Sequence, residues 1–144
     1  MATTIASSDL TTRLSESITI NGTNFSTSTE FSVTGITQYV NNVFNVDTGN
    51  QDIIRFSVGT TPPRNAEYDI NDVAYLRLTN SDDTTSIIVI VAYVTTPPSA
   101  IPVGPGGSFV MNKFSIGTST DTVTGITIST SANVDIPYVI GLKK

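Results

Sequence analysis

Apolar and polar residues alternate along most of this chain with the period of two that marks a strand with one buried face. Leu10, Leu14, Ile18 and Ile20 share one parity, with Thr11, Arg13, Ser15 and Ser17 on the other. Asn21-Gly22 follows, a pair suited to the positive φ angles of a tight type I′ hairpin turn. The return arm, Thr23 to Val33, is sparsely apolar (Phe25, Phe31, Val33) and reads as an edge strand. After Gly35, residues Ile36, Val40, Phe44 and Val46 mark a third run. Asp47-Thr48-Gly49-Asn50 is a turn, and Ile54, Phe56 and Val58 mark a fourth strand. Pro62-Pro63 ends that strand, because proline cannot donate to a sheet ladder.

The stretch from Val73 to Tyr93 reads as a hairpin with unlike arms. In the first arm Ala74, Leu76 and Leu78 alternate with Tyr75, Arg77 and Thr79. Asn80 to Thr85 is a polar turn. The second arm, Ile87-Ile88-Val89-Ile90-Val91, is apolar without interruption, so a strand there presents hydrophobic side chains on both faces. One face is expected to fill the core. The other needs a cover, either a partner or the long Pro- and Gly-rich segment from Thr95 to Gly107. Phe109 to Ile116, Val123 to Thr130 and a final run with Ile136, Tyr138, Ile140 and Leu142 complete the pattern. Val-Thr-Gly-Ile-Thr occurs at residues 33–37 and again at 123–127, which marks either related halves of the sandwich or, as expected of a Thr-rich chain, a chance recurrence.

No segment shows apolar spacing of i, i+3, i+4, i+7 with caps, so no helix is expected. About eight or nine short strands separated by turn residues predict an all-β fold, a two-sheet antiparallel β-sandwich of jelly-roll-like character. The expected organisation is an extended N-terminal arm over residues 1–9 and a single β-sandwich domain over residues 10–144.

Composition narrows the chemistry. Across 144 residues, seven Lys and Arg stand against twelve Asp and Glu, a net charge of −5. With no basic cluster, nucleic-acid binding is not expected. Met1 to Ser8 has neither a basic nor an apolar signal region, and Ile87 to Val94 is too short to cross a bilayer, so no membrane association is expected. Cysteine is absent, which removes disulfides and thiolate chemistry. Histidine is absent too, and with it the commonest general base and metal ligand. The acidic residues (Asp47, Asp52, Glu67, Asp69, Asp72, Asp82, Asp83) fall mostly in turns, where turn formation accounts for them better than paired-carboxylate catalysis. Asn80 with Asp82-Asp83 lacks the oxygen-donor spacing of a calcium loop and reads as an Asx-type turn. Tyr39, Tyr68, Tyr75, Tyr93 and Tyr138 offer rings for sugar stacking, but no tryptophan accompanies them. The expectation is a protein that is not an enzyme, with no catalytic residue, no metal site and no cofactor.

From Asp72 to Thr84 the chain reads Asp-Val-Ala-Tyr-Leu-Arg-Leu-Thr-Asn-Ser-Asp-Asp-Thr. This resembles a strand-turn pattern of small virion structural proteins of marine tailed phages, cyanophages especially: Asp-Val-x-Tyr-aliphatic-Arg-aliphatic-x-Asn-x-Asp-Asp-Thr. Gly106-Gly107-Ser108-Phe109 is similar to the Gly-x-Ser-Phe that follows in that group, and Ala132-Asn133-Val134-Asp135 is similar to the lead into its last strand. The resemblance covers the C-terminal half, and the proline-rich segment Thr95 to Pro105 departs from it. It implies a virion component, either a capsid decoration or cement protein or a part of the neck, tail or a short fibre. The implied partners are the major capsid protein or other virion proteins together with further copies of the chain, as a trimer or dimer, assembled in the host cytoplasm. A host-recognising carbohydrate-binding module is the reading from another class. The expected self-association face is Ile87, Val89, Val91 and Tyr93. The expected lattice contacts are Ile5, Pro62, Pro63, Pro97 and Pro98.

Overall fold

The computed structural model describes residues 7–57, 67–111 and 122–143. All regular structure among them is strand: β1 (Ser8–Ile20), β2 (Thr23–Ile36), β3 (Gln38–Val46), β4 (Gly49–Ser57), β5 (Glu67–Asp69), β6 (Val73–Thr79), β7 (Ile87–Tyr93), β8 (Ser99–Val103), β9 (Ser108–Met111), β10 (Val123–Thr130) and β11 (Val134–Leu142). These eleven strands exceed the expected eight or nine. The difference lies in short strands that turn residues conceal. The Pro- and Gly-rich segment expected to be loop contains β8, where Pro102 pairs opposite Ile88 at a sheet edge, the position in which proline is tolerated. Three-residue β5 runs parallel to β4.

The strands make three sheets: a five-stranded sheet in the order β5-β4-β10-β7-β8, a four-stranded sheet in the order β3-β11-β6-β9, and a separate two-stranded ribbon, β1-β2. Every pairing except β4 with β5 is antiparallel. The two larger sheets share one apolar core in a sandwich-like arrangement. Ile54, Val89, Ile126 and Ile128 come from the first, and Leu76, Leu78, Ile136 and Ile140 from the second. Phe44 and Tyr138 stack within this core at 4.4 Å between ring centroids. Pairing is nested along the chain: β3 lies beside β11, β4 beside β10, β6 beside β9 and β7 beside β8.

Bulges adjust the pattern locally. The β4–β10 register slips so that Ile126 pairs with Ile54 but Thr127 with Asp52. The extra residue, Ile53, therefore turns inward along with Ile54, and both are buried. The two Val-Thr-Gly-Ile-Thr stretches fall at the root of the ribbon and in a core strand, which are not equivalent positions in the fold.

The ribbon follows its sequence closely. Asn21 and Gly22 have φ of 50° and 81°, the two positive angles of a type I′ turn, and Ile20 pairs with Thr23. β1 begins at Ser8, so Ser8 and Asp9, expected in an extended arm, are already strand.

Candidate association surface

Directly opposed residues of an antiparallel pair point to the same face. On the ribbon this gathers Leu10, Leu14, Ile18 and Ile20 of β1 with Phe25, Phe31 and Val33 of β2. The other face is wholly polar and stitched by side-chain hydrogen bonds. Thr11 shares one with Ser32, Arg13 Nε donates to Ser28 Oγ at 2.9 Å, and Ser17 donates to Asn24 Oδ1 at 3.1 Å.

The apolar face has two fates along its length. At the root it lies on the outer face of the four-stranded sheet. The Phe31 ring sits 6.3 Å from that of Tyr75, and the side chains of Leu10 and Ile36 close over Gly141. A methyl group on Gly141 would meet Ile36 Cδ1 at 3.1 Å, so the missing side chain lets the root sit close. Tyr75 is buried beneath it. Beyond the root the same face is open: Leu14 is 60% exposed, Ile18 58%, Ile20 51% and Phe25 55%. A two-stranded hairpin is marginal in water, and one with an uncovered apolar face presents a surface for association.

The expected self-association face is corrected. Ile87, Val89 and Val91 are at most 1% exposed and belong to the chain's own core, and Tyr93 packs against that core. The outward parity of β7 is Ile88, Ile90 and Ala92, of which Ile88 is 41% exposed. The uninterrupted run could not say which parity points inward, because both are equally apolar. Its pairing with β10, which places Val89 opposite Ile128 and Ile87 opposite Thr130, decides it. Among the expected lattice contacts, Pro97 and Pro98 are exposed on the approach to β8, while Ile5, Pro62 and Pro63 lie outside the described residues.

The ribbon face was present in the sequence as alternation, and its docking onto the sandwich left a second mark. Tyr138-Val139-Ile140-Gly141-Leu142 is as continuously apolar as Ile87 to Val91, and every residue of it is buried. Here both faces of the strand are covered, one by the core and one by the root of the ribbon.

The polar clusters are turned to structural use. Asn80, fully buried, donates through Nδ2 toward the carbonyls of Thr85 (2.8 Å), Gly104 (3.1 Å) and Val103 (3.3 Å). Its Oδ1 accepts from the Asp82 amide. Asp82 Oδ1 accepts from the amides of Thr84 and Thr85 and from the Thr84 hydroxyl, and these bonds hold its carboxyl below the usual carboxylate range. Asp52 is lowered by a 2.6 Å hydrogen bond from Thr127 Oγ1, assisted by Arg55. Burial pushes the Tyr68 phenol up, with a hydrogen bond to Tyr138 adding to it. A polar hollow of about 220 Å³ lies between Asn45, Ser81, Asp82 and Asp135. Its Asp135 carboxylate is engaged by Asn45 Nδ2 at 2.8 Å. Among the described residues no three His, Cys, Asp or Glu side chains come together as a metal site. Of the five tyrosines, Tyr75 and Tyr138 are buried, Tyr68 and Tyr93 are partly buried and Tyr39 is 54% exposed, so they form no stacking platform.

No protein-family model matches the chain, and no curated protein matches it.

Proposed function

We propose that this chain is a non-catalytic structural component of a tailed-phage virion that works by assembling, in its most concrete form a decoration or cement protein on the outside of the head. The observation that carries this reading is the ribbon: an amphipathic element whose apolar half, Leu14, Ile18, Ile20 and Phe25, has no cover among the described residues. Surface of this kind is retained where a docked partner buries it. The resemblance of Asp72 to Met111 to small virion proteins supplies the setting.

The nested strand pairing supports a jelly-roll winding for the sandwich. First pairs with last, second with seventh, third with sixth and fourth with fifth among β3, β4, β6, β7, β8, β9, β10 and β11. That winding is frequent in capsid-associated and lectin domains, and the link from fold to role is analogy. The mechanism is linkage: a protein that binds only the assembled shell stabilises it by mass action. The proposed partners are capsid subunits and copies of the chain itself.

An electron cryomicroscopy map of particles carrying the protein tests the reading. Many copies spread over the head are expected. A few copies at the neck, tail or a fibre would move the protein within the virion, and its absence from purified particles would overturn the assignment.

A further inference from the structure

The ribbon's open face has a definite shape and a definite way in. From Thr12 to Ile20 it runs nine residues, roughly 30 Å at the rise of a strand, and it is about 10 Å wide. It carries Leu14, Ile18, Ile20 and Phe25, the small side chains Thr12, Thr23, Thr27 and Thr29, and one charge, Glu16. Its apolar surface is continuous with the part already packed on Tyr75 and Gly141.

We propose that the distal apolar face of the ribbon is the interface with a second copy of this chain, the two ribbons packing face to face and antiparallel. The proposal rests on the assembly reading above and names its first partner. Three observations select this occupant. The sandwich already fills the space over this face at the root, so another ribbon reaches it only from the tip. An antiparallel approach satisfies that constraint for both copies and aims each tip at the other copy's four-stranded sheet. Area points the same way: two such faces bury on the order of 1,000 Å² in total, the lower bound for a specific interface. Finally, a partner that covers this face on every molecule must be present at the chain's own concentration, a condition that the chain itself meets. A lipid surface suits the face less well, because Glu16 and four threonines lie within it and would be carried into hydrocarbon.

Size-exclusion chromatography with light scattering on the full chain is the test, paired with thiol crosslinking that the absence of native cysteine makes clean. Wild type is expected to run at twice the chain mass. Ile18→Asp with Phe25→Asp should weaken dimerisation on the order of 100-fold or more while the β-sheet circular dichroism is retained. Thr19→Asp, on the polar face, should leave the dimer intact. A short bis-maleimide should link Ile18→Cys chains and not Thr19→Cys chains, a comparison that holds even if the double Asp variant fails to fold. A monomer persisting to about 100 µM overturns the proposal. So does a dimer indifferent to the double substitution, equal crosslinking at both positions, or flotation of the wild type with phosphatidylcholine vesicles. A trimer dissociated by the double substitution keeps the face and overturns the two-fold arrangement. A monomer that nevertheless decorates particles defeats the pairing alone, whereas a dimer found in no particle defeats the virion reading alone.

Discussion

Asn80 shows what a single side chain settles in this molecule. Buried without exposure, it joins three segments: the turn after β6, the end of β8 and the Gly104–Gly107 turn, whose Gly107 carbonyl also accepts from the Asn80 amide. Asn80→Ala leaves buried carbonyls without a donor and is expected to cost about 2–3 kcal/mol, read from urea unfolding midpoints at constant slope. Asp82, next in the same network, has a second signature. Its folded pKa lies below its unfolded value, so its contribution is present above the ordinary carboxylate range and is lost as pH falls through the folded pKa. Stability is therefore expected to decline below about pH 4, and the decline should be shallower in Asp82→Asn. An acid titration of the unfolding midpoint for both chains checks this, and equal slopes would remove Asp82 from the account.

At the scale of elements, β7 separates local pattern from packing. Ile88 and Val89 are neighbours of similar volume and hydrophobicity, yet one is 41% exposed and the other fully buried. Ile88→Asp is expected to change stability by less than about 1 kcal/mol, since the carboxylate stays in water. Val89→Asp puts an unpaired charge among Ile54, Ile126 and Ile128 and is expected to abolish folding. Thermal melts of the two variants decide the parity of the strand, and tolerance of the second would reverse the face assignment.

For the whole molecule, the question is whether the ribbon belongs to the sandwich or only stands on it. Its root completes the outer face of the four-stranded sheet at Tyr75 and Gly141, while its distal half stays exposed. Shortening it so that Asn21-Gly22 joins Glu16 directly to Thr27, which already pair in the same hydrogen-bonding phase as Ile20 and Thr23, removes Ile18, Ile20 and Phe25 without touching the root. The shortened chain is expected to keep its unfolding free energy within about 1 kcal/mol and to become monomeric. Removing residues through Ile36 instead uncovers Tyr75 and Gly141, and exposed core-like surface of that kind is expected to drive aggregation. A shortened chain that unfolds would show that the distal half supports the sandwich.

Much of this was legible along the chain. Strand character, the Asn21-Gly22 turn and the polar and apolar faces of β1 follow from local rules, since side-chain parity and φ preference belong to neighbouring residues. The acidic segment at Asp82 was readable as a turn for the same reason. Tertiary structure alone decided where the apolar faces go. Alternation marks a face but does not name its partner, so the sequence reads as an ordinary sheet hairpin, whereas among the described residues its strands pair with each other alone. An unbroken apolar run marks two faces and names neither. Between Ile87 and Val91 the core took the odd parity and left Ile88 outside. Between Tyr138 and Leu142 the root of the ribbon covered the second face, through contacts made across about a hundred residues of sequence.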